Sequence, residues 1–164
     1  MRINDVCVVR ADAAERSVVE RLLRDYLREV FGTRAEVVAG PTYRYLDLYW
    51  TEPGRTAWLI NAAGQVAGFA LVNDWAPSGL PVDHAMAEFS VAREYRRAEV
   101  GTRAAATIIG GLPGQWEIGM QAANAPAKAF WSHVVCRLSR AIPQWLEGDG
   151  ARWTGPIVRF RSEA

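Results

Sequence analysis

Apolar positions in the first part of the chain recur with helical spacing. Val18, Val19, Leu22, Leu23, Tyr26, Leu27 and Val30 fall on one stripe while Arg, Glu and Asp fill the gaps, which predicts an amphipathic helix that buries one face. Asp12 and Glu15 form a D-x-x-E capping pattern ahead of it, and Gly32 suits its C-terminal cap. A short strand over 6–10 precedes the helix. The segment 43–50 is rich in aromatics, and its spacing fits either a second short helix or an irregular aromatic segment before Pro53. Runs 56–61 and 66–73 are apolar and strand-like, joined by Ala62, Ala63, Gly64 and Gln65 in a hairpin pattern. Over 84–91 the chain alternates: His84, Met86, Glu88 and Ser90 share one face, and Ala85, Ala87, Phe89 and Val91 the other. That strand offers polar groups to one side. A basic turn over 96–102 leads into helical spacing over 100–109, broken by Gly110, Gly111, Pro113 and Gly114. A strand over 115–121, a helix opened by Asn124 and Ala125 and running to about Val135, and two strands between Leu138 and Phe160 follow. The predicted order is β, α, α, β, β, β, α, β, α, β, β.

Composition narrows the function classes. With 164 residues, half of them apolar, the chain can bury one core without disulfides or metals, and a single domain over 1–164 is expected, with short loops over 32–42 and 76–83. Lys and Arg total 19 against 18 Asp and Glu. No basic field therefore points to nucleic acid or a membrane surface, and neither is expected as a partner. Cys7 and Cys136 are far apart, lack metal-ligand spacing with His84 or His133, and follow no secretory or transmembrane segment. No metal is expected, a cytoplasmic location fits, and both cysteines read as small buried hydrophobes rather than half of a catalytic Cys-His pair.

Two motifs carry chemistry. The stretch EFSVAREYRRAEVGTRAA, Glu88 to Ala105, contains Arg96-x-x-Glu99-x-Gly101, and Asn124-x-x-Ala127-x-x-Phe130-Trp131 follows it. The first resembles the donor-binding R/Q-x-x-G-x-G/A turn of the GNAT acetyltransferase superfamily, and the second resembles its N-x-x-A-x-x-(L/F)-Y helix start. Together with the element order the resemblance spans roughly the whole chain. YLDLYW over 45–50, the ensuing E-P-G-R and the late AFW are similar to a group of bacterial predicted acetyltransferases. The resemblance implies an α/β (α+β) GNAT-like fold: a central mixed, mostly antiparallel twisted sheet of roughly six or seven strands flanked by about four helices.

It also implies acetyl-CoA (coenzyme A) as donor, an amine of a small-molecule acceptor, and a homodimer through C-terminal strands as one assembly open to the chain. The backbone of Phe89, Ser90 and Val91 would pair with the pantetheine arm. Arg96, Arg97, Ala98, Glu99, Val100, Gly101 and Thr102 would cradle the diphosphate, and Asn124, Phe130 and Trp131 would serve the donor from the later helix. The physics agrees: successive free amides at a helix N-terminus carry positive dipole charge and suit a diphosphate. Arg96, Arg97 and Arg103 can add charge-assisted contacts, and Gly101 permits close backbone approach.

The chain departs from the family pattern twice. Glu99 stands where the family has its first glycine; each like-charge contact with a diphosphate costs about 2 to 3 kcal/mol at an effective dielectric near 20, and below about 1 when solvated. If the position needs positive φ, glutamate adds about 1 to 2 kcal/mol of strain. Trp131 stands where many members have a tyrosine that protonates the leaving thiolate, and indole cannot be that acid. Ser132 and His133 are its neighbours.

Acyl transfer needs a deprotonated amine, held near the thioester carbonyl, and amides for the oxyanion. Glu88 is the first candidate base, since the family often carries a carboxylate there, and His84 is the reserve. Tyr43, Tyr45, Asp47, Tyr49 and Trp50 are candidates for binding the acceptor, with Asp47 facing a cationic amine. Two other readings stay open: a carrier-protein or aminoacyl-tRNA donor, favoured by Glu99, and a non-catalytic ligand-binding module, favoured by both departures.

Overall fold

The computed structural model describes residues 5–32 and 43–163. Beyond Gly32, the loop expected over 32–42 lies outside the described residues. The strands are β1 (Val6–Arg10), β2 (Thr56–Ala62), β3 (Gln65–Asn73), β4 (His84–Val91), β5 (Gly114–Gly119), β6 (Gln144–Glu147) and β7 (Pro156–Ser162). The α-helices are α1 (Arg16–Phe31), α2 (Val100–Gly110) and α3 (Ala125–Leu138). The seven strands form one sheet in the order β1-β2-β3-β4-β5-β7-β6, as the predicted fold class requires. The chain packs as two compact units, Met1–Leu71 with Glu88–Val100, and Val72–Ala87 with Gly101–Ala164.

In the first unit, β1 runs antiparallel to β2 from Val6 opposite Ala62 to Arg10 opposite Trp58. The turn into β3 places Ala63 at φ 51° and Gly64 at φ 74°, the left-handed pair that matches strand twist in a two-residue hairpin. Asp12 accepts from the amides of Ala14 and Glu15, and Glu15 returns a bond to the Asp12 amide. This capping box closes on a 3-10 turn, Ala13–Glu15, and α1 starts one residue later. The predicted stripe buries Val19, Leu23 and Leu27, and Gly32 caps the helix at φ 57°. The second helix differs from expectation: Leu46–Trp50 is a 3-10 helix that buries Leu46 and Tyr49. Five residues with two aromatics at their end and Pro53 close behind have too little α propensity to propagate an α-helix. Among the described residues there are thus three α-helices where about four were expected.

In the second unit, β4 pairs with β5 in parallel at His84 with Trp116 and Ala85 with Glu117. β5 pairs antiparallel with β7, and β7 with β6. Trp116, Ile108, Ile109, Ile118 and Ile157 are fully buried, each contributing roughly 1.5 to 3 kcal/mol of transfer free energy. A charge sits in this core: Glu117, 0% exposed, accepts from Arg159 and from the hydroxyl and amide of Ser78. Arg159 also donates to the Pro81 carbonyl at 2.6 Å. The pair pins the 76–83 loop to the sheet. Both cysteines are free and exposed rather than buried, Cys7 on β1 and Cys136 on the outer side of α3. No helix among the described residues is long and apolar enough to cross a membrane.

Candidate active site

The site is built on the C-terminal half of β4. β3 comes so close to it that a Cβ at Gly68 would collide with the Ser90 carbonyl oxygen, so glycine is what lets these backbones meet. The Ala92 amide donates to the Ala67 carbonyl at 2.8 Å. Phe89 and Ser90 are partly buried and Val91 is buried.

After β4 the chain makes a short 3-10 turn, Arg93–Tyr95, and then Arg97 and Glu99 adopt left-handed backbone at φ 62° and 59°. Residues with side chains rarely sit there without a tertiary reason. Alternation of hand along a turn aims successive amides at one side, the geometry of an anion nest, and α2 begins directly behind at Val100. Arg97 and Glu99 are exposed, Ala98, Gly101 and Thr102 half-buried, and Val100 buried.

Arg96 has a role that composition did not reveal. Its Nε donates to the Val91 carbonyl at 2.7 Å, and its two terminal nitrogens donate to the two Glu29 carboxylate oxygens at 2.7 and 2.8 Å. Arg93 adds a bond to Glu29 at 3.3 Å. The Arg96 hydrogen bond holds the Glu29 carboxyl below the usual carboxylate range. The guanidinium read from the sequence as a phosphate contact therefore bolts the end of β4 to α1, a bidentate fork whose planar geometry fixes direction as well as distance.

Glu88 is where the unit gathers its chemistry. Tyr43 donates its hydroxyl to Glu88 Oε1 at 3.2 Å, and the Tyr26 phenol, delivered from α1, is the second group that favours the carboxylate. Burial pushes the Glu88 carboxyl up to about 7, against the opposing pull of the two phenols. Burial, and then the charge of Glu88, raises both tyrosines well above their ordinary value, so they stay protonated donors. Tyr26 was read from the sequence as one more position in the apolar stripe. Its ring does pack, edge-on to Phe69 with centroids 6.0 Å apart, and the sole hint of a second role was that a buried phenol needs a partner.

The acceptor candidates are more dispersed. Tyr49 is buried with the Arg55 guanidinium 5.5 Å from its ring. Trp50 donates its indole N–H to the Ala11 carbonyl at 3.0 Å. Asp47 accepts from Arg16 Nε at 2.6 Å, so the carboxylate expected to meet a cationic substrate already holds a guanidinium. Tyr45 is exposed, beside Arg44. An open groove of about 420 Å³ runs past Arg10, Tyr49, Trp50, Glu52 and Arg55.

In the second unit, the His84 ring lies 5.0 Å from that of Trp116, with Nε2 3.3 Å from the Pro113 carbonyl oxygen. Asn124 caps α3 by accepting from the Ala127 amide at 3.1 Å, so its side chain serves the helix. Phe130 and Trp131 meet edge to face at 4.8 Å, and Trp131 is buried. Ser132 is half-buried, while His133 is exposed with Nε2 3.4 Å from Arg137. Among the described residues no group of three His, Cys, Asp or Glu could hold a metal ion.

A model of the acetyltransferase (GNAT) family matches residues 17–134. No curated protein matches the chain in sequence. Among solved structures, a GNAT-family acetyltransferase from Staphylococcus aureus is similar with a TM-score of 0.66 at 10% identity, over 97% of this chain and 100% of that one. An acetyltransferase from Thermus thermophilus gives 0.64 at 13% identity, over 98% of each chain. The PaiA N-acetyltransferase from Thermoplasma acidophilum, in complex with coenzyme A, gives 0.66 at 10% identity, over 96% and 99%. At such identities these likenesses concern the fold.

Proposed function

Because the chain belongs to the GNAT acetyltransferase family, we propose that it moves the acetyl group of acetyl-CoA directly to an amine of a small-molecule acceptor, with Glu88 as the general base. The observation that carries this is the Glu88 carboxyl, held by two phenols and raised to about 7. A base poised near the operating pH combines a useful ionised fraction with enough basicity to take the proton of an ammonium. With the proton removed, the nitrogen lone pair attacks the thioester carbonyl, a C–N bond forms, the C–S bond breaks, and the nitrogen gives up its remaining surplus proton to solvent. Trp131 has no acidic proton to offer, and a thiolate is stable enough near neutrality to leave and take its proton from solvent.

The donor's diphosphate fits the turn of Arg97, Ala98, Glu99, Val100, Gly101 and Thr102. Two left-handed residues directly ahead of an eleven-residue helix support this, since alternating backbone hand at a helix start is the geometry of an anion site. Arg97 and Arg103 supply the positive charge, and Phe89, Ser90 and Val91 line the pantetheine arm. The coenzyme A bound to the Thermoplasma acidophilum protein supports the choice of donor. Glu99 is exposed, which weakens the one argument for a carrier-protein or aminoacyl-tRNA donor. Tyr43 and Tyr49 form the acceptor wall in this reading, with Asp47 and Trp50 as its supports. The two units act as one domain, working in the cytoplasm.

The test is thiol release from acetyl-CoA across a panel of small amines, with kcat/KM followed against pH. The reading requires amine-dependent release with an acid limb near pH 7, and a loss of about 10²- to 10⁴-fold with disappearance of that limb in Glu88→Gln. Release indifferent to every amine, or a Glu88→Gln variant that keeps the limb, refutes it.

A further inference from the structure

We propose that Tyr26 and Tyr43 are positioning residues for Glu88, two neutral hydroxyl donors brought from separate elements to orient its carboxylate and set its protonation. This rests on the reading of Glu88 as the base. Tyr43 reaches Oε1 at 3.2 Å from the segment just before the Leu46–Trp50 3-10 helix, and Tyr26, on α1, is the second phenol that draws the carboxyl down. A carboxylate accepts only, and each phenol is a donor, so the pairing is matched in hydrogen-bond sense. Two donors from two directions leave few orientations open to the carboxylate.

The sign of the partners matters as much as their number. A guanidinium beside Glu88 would hold its carboxyl far below neutrality and leave a weak base. Arg93 and Arg96, which follow β4 in the chain, are instead gathered on Glu29, one helical turn beyond Tyr26 on α1. The titratable groups that act on Glu88 are Tyr26 from α1 and Tyr43 from the segment before the 3-10 helix, and behind them Glu29 acts on Tyr26 and Tyr49 on Tyr43. Phenols stabilise the anion without a fixed positive charge, which offsets part of the cost of burial and keeps the carboxyl near 7.

The experiment compares pH profiles of kcat/KM for the unmodified protein, Tyr26→Phe, Tyr43→Phe, the double variant and Glu88→Gln, beside a carboxyl-carbon NMR titration of the protein without substrate. The Glu88 resonance is identified by its loss in Glu88→Gln. Each Phe variant deletes one oxygen and keeps the ring. Removing a donor to the anion raises the carboxyl pKa, so each variant should move the acid limb and the Glu88 titration upward by about half a pH unit or more, and the double variant further. A structural role alone would lower thermal stability and leave the limb where it was. If the limb and titration stay put in both Phe variants while Glu88→Gln abolishes the limb, the inference is wrong and the base assignment stands. If Glu88→Gln keeps the limb, the base assignment fails and the inference fails with it.

Discussion

Replacing Glu99 by glycine separates two effects that meet at one residue. Its left-handed φ of 59° costs a non-glycine residue about 1 to 2 kcal/mol. Glycine removes that strain but frees the unfolded chain by roughly 0.4 to 1 kcal/mol, so the folded protein gains about 0.5 to 1 kcal/mol. For a chain of this length that is a rise in Tm of about 1 to 4 °C. The charge acts on the ligand instead. Glu99 is exposed, so the solvated end of the Coulomb range applies: at about 6 Å and a dielectric near 80, each phosphate charge costs roughly 0.7 kcal/mol. Two such charges make about 1.4 kcal/mol, a tenfold change in Kd. Calorimetric titration of acetyl-CoA at low salt should therefore show Glu99→Gly binding about ten times more tightly, with the difference shrinking as salt screens it. Glu99→Gln should reproduce the gain in affinity without the gain in Tm. Equal affinities at low salt, or a difference that ignores salt, would refute the placement of the diphosphate beside this turn.

Other outcomes follow from the geometry. Arg159→Met leaves Glu117 buried without its cation and should cost about 3 to 5 kcal/mol in chemical denaturation, with Arg159→Met/Glu117→Met recovering most of it, since the isolated charge rather than the lost pair is the expense. Gly68→Ala forces β3 away from the Ser90 carbonyl and should destabilise by about 1 to 3 kcal/mol while lowering kcat/KM, read by thermal melts beside the thiol assay. Stability should also depend on Glu88: its folded pKa is raised, so its contribution is complete below about pH 4 and is lost as pH rises through about 7. One pH unit of displacement is about 1.4 kcal/mol, so Glu88→Gln should gain on the unmodified protein by up to roughly 3 kcal/mol between pH 4 and pH 8 in denaturant melts.

Several elements were legible because their causes are local. The Asp12–Glu15 box, the Gly32 cap, the Ala63–Gly64 turn, the Asn124 cap and the alternation of β4 each depend on residues within one turn or one strand. Spacing alone was enough for them. The 3-10 character of Leu46–Trp50 was not decided by its aromatics, which suit a helix or an irregular coil until packing buries Leu46 and Tyr49.

The order of those local signals, with the two motifs in sequence, determined the element order and the family. Glu88 was reachable too, as the carboxylate on the polar face of its strand at a place where the family often carries one. What the tertiary structure alone decided was how the side chains are used. Arg96 holds Glu29 across 67 positions, Tyr43 holds Glu88 across 45, Asp47 holds Arg16 across 31, and Tyr26 turns from a core residue into a donor. A propensity or a periodicity extends over a few residues of chain, whereas a hydrogen bond between distant residues depends on which elements the fold packs together. Residue types announce what chemistry is available, and only the packed chain assigns each group its partner.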